Sequence, residues 1–524
     1  MSAPLLTPTE MAEMDRRTIE DLGIPGLVLM ESAAAACVHE LLARWENEAA
    51  ALGVLVIAGP GNNGADGLAI ARRLVGLGIE VEVSLATSKD RLGRDATTQL
   101  GLAEVQEVPV HEPGEAPGAE EFGVVVDALF GTGLAREVEG VAAALVTDVY
   151  NAGRPVLAVD IPSGIDGRTG QAMGVAVQAA CTVTFACPKL GHFVEPGRSH
   201  RGALLVADIG IPIARFPEVS ADATRLLDAS CLAPLGPAAP TAHKGTFGHL
   251  LVVAGGPGKV GAARLACEAA LRAGAGLVTL ALPQGVPSDS LAQLRPEVMV
   301  ERVPSSDRVF GPGSLPAVRD FAATRDAVAL GPGLGTAPAT VAFVQGLLGD
   351  LATPCVIDAD ALNCMLGGSW SKGSPRVITP HPGEASRLLG EATAELQRDR
   401  VATARALERQ TGCVAVLKGA GTIVAARDET WLNPSGNPGM GTAGSGDVLT
   451  GMVGALLARG LSPDAAATAA VYWHGVAGDK AAADKGEAGM LASDISDCLG
   501  VSLRAEATAP RAWFEATPTG HVSW

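Results

Sequence analysis

Six short apolar runs in the first half of the chain alternate with helical patterns: GVLVIAGPGNNGADG, EVEVSLA, FGVVVDALFGTG, RPVLAVDIPSGIDG, CTVTFACPKLGH and ALLVADIGIP. Runs apolar on both faces are those of buried parallel strands. Stretches such as DGLAIARRLVGLG and VAAALVTDVYNAG lie between them, and this alternation predicts a doubly wound α/β sheet. Ligands of such sheets bind beyond the carboxyl ends of the strands. The Gly- and Asp-rich tails of the runs fall there.

Residues 211–245 interrupt the alternation with a Pro- and Ala-rich stretch, and it restarts in HLLVVAGG, GLVTLALP, DAVALGPGLG, PCVIDADAL, PRVITPHPGE and CVAVLKGAGTIVAA. The expected organisation is two α/β domains, 1–215 and 236–510, with a linker over 216–235 and a tail over 511–524. The strand-end motifs of the halves differ, so they do not read as a tandem repeat. A length of 524 residues allows real cores, and with 3% aromatics Ala, Val, Leu and Ile must fill them. The net charge of −18 argues against a nucleic-acid surface. It leaves an anionic ligand possible, because loop N–H groups bind phosphate without basic side chains. Nine scattered cysteines without C-x-x-C read as small core residues in a reducing compartment. The start, MSAPLLTPTEMAEMDRRTIEDLG, is acidic and amphipathic, unlike a signal peptide. No apolar run approaches the ~20 residues that span a bilayer. The expected setting is cytoplasmic, with neither membrane nor nucleic acid as partner.

The stretch GNPGMGTAGSGDVLTG (436–451) runs from a glycine-rich loop into an amphipathic helix, with Asp447 near the helix start. Helix N-termini present free N–H groups and partial positive charge, and glycine lets that backbone approach an anion closely. Beside a phosphoryl group in transfer, Asp447 would take a proton from an attacking hydroxyl. The same run equally fits an Asp that caps the helix. The series KGAGT (418–422), NPSGNPGMGTAGSGDVLTG (433–451), GPGLG (331–335), DADAL (358–362) and TPHPGE (379–384) resembles the ribokinase-like family. Within it, the series is most like the nucleotide-dependent NAD(P)H-hydrate dehydratases. HKGTFGHLLVVAGG (243–256) is similar to the opening of that subfamily's domain, and the resemblance covers about 225–510. It implies that Lys418, Gly419, Ala420, Gly421, Thr422 and Gly446 hold the phosphates and ribose of ADP or ATP. It implies that Ala262, Gly333, His381 and Asp447 face the hydrated nicotinamide nucleotide. Asp447 would activate the ring hydroxyl to attack the terminal phosphoryl group, after which the phosphorylated hydroxyl is eliminated. Mg²⁺ would screen the phosphates, with Glu384 a ligand candidate by residue type alone. Taken alone, His381 reads as a structural histidine, and Asp358 and Asp360 as metal ligands or as caps of the next turn. GGPGKVG (255–261) does not meet the P-loop pattern G-x-x-x-x-G-K-[ST].

GPGNNGADG (59–67) follows the first strand and opens a helix, which suits a phosphate at a helix N-terminus or a turn without ligand. Asn62 and Asn63 break the G-x-G-x-x-G register and add donors and acceptors. Together with DALFGTGLARE (127–137), DIPSGIDG (160–167) and FACPKLGH (185–192), it resembles the NAD(P)H-hydrate epimerases of the YjeF N-terminal family, over about 10–215. That family's fold is Rossmann-like. Where NNGGDG is usual, this chain has Ala65, a methyl expected to leave the fold intact and to tighten the ligand approach. The resemblance implies hydrate contacts from Asn62, Asn63, Gly64, Ala65 and Asp66, from Gly131, Thr132, Gly133, Leu134, Ala135, Arg136 and Glu137, and from Asp160. It also implies a K⁺ site of Asn63, Asp127 and Ser163, all oxygen donors. Asp160, at a strand end, is the acid/base candidate. Lys189 is a second, though alone it reads as a structural lysine.

The two readings rest on separate motifs and name one substrate. Hydration of NAD(P)H gives R and S epimers, and an epimerase fused to a dehydratase for one of them repairs the whole pool. The resemblance therefore implies a bifunctional metabolite-repair enzyme and, from related chains, a homo-oligomer. Two other readings stay open: a kinase for a small hydroxylated metabolite, and an N-terminal domain that only senses nucleotide or binds protein.

Overall fold

The computed structural model describes residues 3–304, 308–370 and 375–516. It divides into two compact units, Ala3–Thr224 joined by the segment from Ala512, and Arg225–Arg511.

The sheet of the first unit is parallel throughout. In spatial order its strands are Glu515–Ala516, Ala203–Ala207, Cys181–Phe185, Val156–Val159, Val124–Ala128, Val54–Ala58, Val81–Leu85 and Val110–His111. Val54–Ala58 is buried along its whole length, as a two-faced apolar run requires. Its end, Ala58, pairs with Leu85 on one side and Ala128 on the other. The chain order reverses at this strand, so the crevice past Ala58 and Ala128 is a topological switch point. GPGNNGADG starts there and enters the helix Asn62–Gly76.

One helix corrects the membrane reading of the sequence. Gly26–Leu52 is long and apolar enough to cross a membrane by length and composition, because its alanines dilute Glu31 and Glu40. In this unit Met30, Ala33, Ala34, Cys37 and Leu41 of that helix are buried in the hydrophobic core.

The sheet of the second unit contains, in order, Thr224–Leu226, Glu429–Leu432, Ile423–Ala426, Val414–Leu417, Arg376–Ile378, Cys355–Ile357, Ala327–Leu330, His249–Val253, Leu277–Pro283 and Val298–Val303. Pairing is parallel from Val298–Val303 to Val414–Leu417, and Ile423–Ala426 is antiparallel to both its neighbours. The first long strand, His249–Val253, again sits at a reversal of order, between Leu277–Pro283 and Ala327–Leu330. The tails GPGLG, DADAL, TPHPGE and KGAGT all leave the carboxyl ends of these parallel strands. Val298–Val303 is absent from the sequence reading because it is an edge strand, with Met299 exposed and Glu301 and Arg302 half-buried. Arg225 and Leu226, inside the segment expected as a linker, pair with Trp431 and Leu432. Glu515 and Ala516, inside the expected tail, pair with Leu205 and Val206 of the first sheet. All nine cysteines are free thiols, buried except for the half-buried Cys231.

Two helices close the second site, Val260–Arg272 and Ser445–Ala458. They approach so closely that a Cβ on Gly451 would overlap the Ala266 carbonyl. Gly451→Ala is expected to destabilise the protein by about 1–3 kcal/mol through overpacking. Gly500→Ala, on the exposed side of Ala492–Thr508 with nothing within 4 Å, is expected to gain about 0.5–1 kcal/mol from helix propensity. Urea unfolding of both variants checks the opposite signs.

Candidate active sites

In the first unit a cavity of 160 Å³ lies beyond the strand ends. Asn62, Asp66, Thr132, Asp160 and Lys189 line it, with Met11, Asp15 and Ile19 from the N-terminal helix Pro8–Glu20. Asp160 follows the strand Val156–Val159 at φ +68°, a left-handed conformation rare outside glycine. Its Oδ1 accepts from Lys189 Nζ at 2.7 Å and from Thr184 Oγ1 at 3.0 Å. Lys189 Nζ also donates to Thr184 Oγ1 at 2.8 Å and to the Phe185 carbonyl at 3.1 Å, so all three of its protons are used. His192 Nδ1 accepts from the Lys189 amide, and Nε2 lies 3.0 Å from the Asp160 carbonyl, which requires the proton on Nε2. Burial, helped by Lys189, pushes the imidazole down to about 3 and keeps it neutral.

The acids of this cavity divide by partner. Burial pushes the Asp160 carboxyl up, but Lys189 and the hydrogen bonds outweigh it and hold the group below its ordinary value. Asp66 has no such partner among the described residues, and burial, reinforced by Asp160 and Asp15, lifts it well above the carboxylate range. Asp15 is pushed to about 6 by burial, with Lys189 opposing and Asp160 adding.

Deeper, Asp127 Oδ2 accepts from the Ser163 amide at 2.8 Å and Oδ1 from Ser163 Oγ at 2.6 Å. Burial raises this carboxyl to about 6, and among the described residues no basic side chain offsets it. Asn63 is buried, its Oδ1 3.3 Å from where a Cβ on Gly131 would lie, the same distance as Asp160 Oδ2.

Not every expected contact reaches the cavity. Ala65 is fully buried in the hydrophobic core, so its methyl packs inward and does not tighten the ligand approach. Gly64 is also buried, under the Gly59 carbonyl. Of residues 131–137, Thr132 lines the cavity. Leu134 is half-buried, and Gly133, Ala135, Arg136 and Glu137 are exposed, all outside its lining.

In the second unit the strand-end loops converge. A Cβ on Gly333, at φ +68°, would lie 3.4 Å from the Ala262 Cβ, which brings those two expected residues together. Asp358 is 1% exposed; its Oδ1 accepts from Lys418 Nζ at 2.7 Å and its Oδ2 from Thr450 Oγ1 at 2.6 Å. Asp360 Oδ2 accepts from the Gly335 amide at 2.7 Å and from Lys259 Nζ at 3.0 Å, so it ties GPGLG down as a loop brace. Lys418 Nζ lies 3.2 Å from where a Cβ on Gly446 would be, beneath the N-terminus of Ser445–Ala458.

Asp447 stands in the first turn of that helix, but the cap is Gly444 at φ +93°, and no side chain caps the helix. The capping alternative for Asp447 is therefore not what the structure contains. Its carboxyl accepts no hydrogen bond among the described residues. Burial, with Asp358 adding and Lys418 opposing, raises it to about 6.

His381 does what a structural histidine does. It caps the helix Pro382–Leu389, its Nδ1 accepting from the Gly383 amide at 3.0 Å. Glu384 closes the capping box by accepting from the His381 amide at 2.9 Å. Burial raises Glu384 to about 7.

Arg400 went unread in the sequence. It is 6% exposed, and its Nη2 donates to the carbonyls of Leu417, Lys418 and Gly421, so one guanidinium holds the KGAGT loop in shape. Gly419 is needed where the loop passes over it, since a Cβ there would lie 3.0 Å from Arg400 Nη2 at φ +139°. No motif spacing marks such a residue.

Two family models match the chain: one described as YjeF-related protein N-terminus over residues 26–191, and one described as NAD(P)H-hydrate dehydratase over residues 250–500. The bifunctional NAD(P)H-hydrate repair enzyme of Moorella thermoacetica is 41% identical over 512 residues, covering 95% of this chain and 96% of its own. That of Escherichia coli K12 is 38% identical, over 87% of this chain and 85% of its own. A crystal structure of the ADP/ATP-dependent NAD(P)H-hydrate dehydratase of Bacillus subtilis, co-crystallized with ATP and Mg²⁺, is 32% identical. It covers 52% of this chain and 95% of its own, with a TM-score of 0.46.

The raised Asp447 has a stability signature. A carboxyl at about 6 when folded, against 3.8 ordinarily, binds its proton more tightly in the folded state. Its contribution therefore stabilises the fold as pH falls from above 6 to below 4. Asp447→Asn is expected to remove that share of the gain. Urea unfolding of wild type and variant across this range measures it, as a difference that shrinks with falling pH.

Proposed function

The chain belongs to the bifunctional NAD(P)H-hydrate repair enzymes, and from that membership we propose how its residues divide the work. It is an enzyme with an epimerase half and an ADP- or ATP-dependent dehydratase half. The first unit interconverts the R and S hydrates, and the second returns the S form to NAD(P)H.

In the dehydratase half, Asp447 is the base. It takes the proton of the ring hydroxyl as that oxygen attacks the terminal phosphoryl group of the nucleotide. The observation that carries this assignment is a half-buried carboxyl near 6 that caps nothing, in the first turn of a helix whose N-terminus faces a lysine. A base is most useful with its pKa near the working pH. Hydroxide leaves poorly and phosphate leaves well, which is the chemical reason for consuming a nucleotide. Lys418, Gly419, Ala420, Gly421, Thr422 and Gly446 hold the nucleotide, with Arg400 keeping that loop in shape. Ala262, Gly333 and His381 border the hydrate. Mg²⁺ bound with the nucleotide would screen the charge of its phosphates. No group of three His, Cys, Asp or Glu that could cage a metal occurs among the described residues, and Mg²⁺ is commonly held by phosphates plus one or two carboxylates.

In the epimerase half, Asp160 is the ionised carboxylate and Lys189 the cation that keeps it so. Asn62, Asp66 and Thr132 meet the hydrate. Asp127, Ser163 and Asn63 fit a K⁺ ion, because Asp127 is a buried carboxyl with oxygen neighbours and no basic side chain against it. Bound there, K⁺ supplies the missing positive charge. A cytoplasmic, homo-oligomeric enzyme completes the reading, in keeping with nine free thiols.

Asp447→Asn is expected to lower the rate of dehydration by about 100-fold or more, as loss of a general base does, while nucleotide affinity stays within a few-fold. Regeneration of NADH and calorimetric nucleotide binding measure the two. Turnover near that of wild type would remove the base assignment. Asp160→Asn is expected to abolish epimer interconversion and leave dehydration of the purified S form intact. A variant that still consumed an R/S mixture at the wild-type rate would contradict this.

A further inference from the structure

Part of the wall of the epimerase cavity comes from ahead of the family match, which begins at residue 26. Met11, Asp15 and Ile19 of Pro8–Glu20 line it. This helix is held in register with Lys189. The Leu6 amide donates to the Pro188 carbonyl at 3.1 Å and the Leu190 amide donates to the Leu6 carbonyl at 3.2 Å, bracketing Lys189. Thr7 and Glu10 then form a capping box that starts the helix at Pro8. Further along, Arg17 stacks over the Phe216 ring at 4.4 Å and pairs with Glu218. Asp15 is thus placed by backbone hydrogen bonds, a cap and an ion pair, and it faces inward between two apolar side chains. Its neighbours Arg16 and Arg17 pair with acids away from the cavity, at Glu13, Glu20, Asp21 and Glu218.

The charged groups facing the cavity are Asp15, Asp66, Asp95, Asp160 and Lys189. Lys189 commits its ammonium to Asp160, Thr184 and a carbonyl. Asp15 and Asp66 make no ion pair with it, and burial raises both carboxyls.

We propose that Asp15 is a catalytic acid of the epimerase half, giving a proton to the substrate from the helix wall while Asp160 acts from the strand ends. This rests on the epimerase reading of the cavity. Inversion of a carbon bearing a hydroxyl and a ring nitrogen needs proton carriers on more than one side. Protonated Asp15 gives its proton to the departing hydroxyl, which leaves as water with the C–O bond pair. The ring nitrogen lone pair forms a C=N bond to the vacated carbon. Water then adds to the opposite face; its oxygen forms the new C–O bond, the C=N pair returns to nitrogen, and the surplus proton passes to a cavity carboxylate; exchange with solvent returns one proton to Asp15 and removes one from that carboxylate, which restores the starting state. No oxidant or reductant is needed. Burial that raises Asp15 to about 6 is consistent with the role, since a group that gives and regains a proton works best with its pKa near the working pH.

The test uses full-length Asp15→Asn and Asp15→Glu. Interconversion of separated R and S hydrates is followed by chromatography without nucleotide, and dehydration of the S form is measured on the same samples. Asp15→Asn is expected to lower kcat for interconversion about 100-fold or more with KM within a few-fold, and to change the alkaline decline of the kcat/KM profile. Asp15→Glu should restore part of the rate, and dehydration should be unaffected in both. Interconversion by Asp15→Asn within a few-fold of wild type, with an unchanged pH profile, overturns the proposal. So does a loss confined to KM, which a packing role would give. Wild type that leaves both epimers unchanged overturns the epimerase reading itself, and this proposal with it.

Discussion

In each unit a lysine is held at 2.7 Å from an aspartate at the carboxyl end of a parallel strand, Lys189 on Asp160 and Lys418 on Asp358. Such pairs add little net stability, because desolvation offsets attraction, yet removing one partner costs about 3–5 kcal/mol. Their effect here is on the neighbours. One ammonium satisfies one carboxylate, and the next acids in the same low-dielectric site are left to burial. Asp15 and Asp447 are each raised to about 6 for this reason, with the pair's own aspartate adding to the rise. Each site thus holds a lysine-paired carboxyl beside one that burial raises to about 6. Divergent environments for nearby acids are how a fold assigns donor and acceptor roles.

The two halves use this arrangement for opposite ends of one repair. The first unit needs a proton given and a proton taken at a carbon that inverts, and it gathers several acids around one lysine. The second needs a proton removed from a hydroxyl as charge builds on phosphate. It places one free carboxyl at a glycine-lined helix start, with the lysine beneath. Nothing in this division requires the sites to touch.

Much of this was legible beforehand. The strands with two apolar faces, such as Val54–Ala58 and Leu250–Val253, are where the runs put them, because burial on both sides leaves no polar position. GPGNNGADG and GTAGSGDVLTG announced helix starts, because only glycine-rich backbone turns that sharply next to a carbonyl. What was hidden lies in tertiary context. Asp15 sits in an acidic, amphipathic helix beside Arg16 and Arg17 and reads as a solvated residue, until the fold turns it to the cavity. Arg400 braces a loop with which it shares no motif. Ala65 was read as a ligand-facing methyl, but helix Asn62–Gly76 turns it into the core. Edge strands such as Val298–Val303 alternate too weakly to stand out.

In each site the lysine stays with its own aspartate and leaves a neighbouring acid protonatable near neutral pH. Isotope-edited NMR of aspartate carboxyl carbons, comparing wild type with Asp447→Asn to identify the resonance, tests it without substrate. The Asp447 carbon is expected to titrate near 6. Titration of that carbon at the ordinary value of 3.8 would mean that the lysine is shared between both acids and that Asp447 is not held protonatable near neutrality.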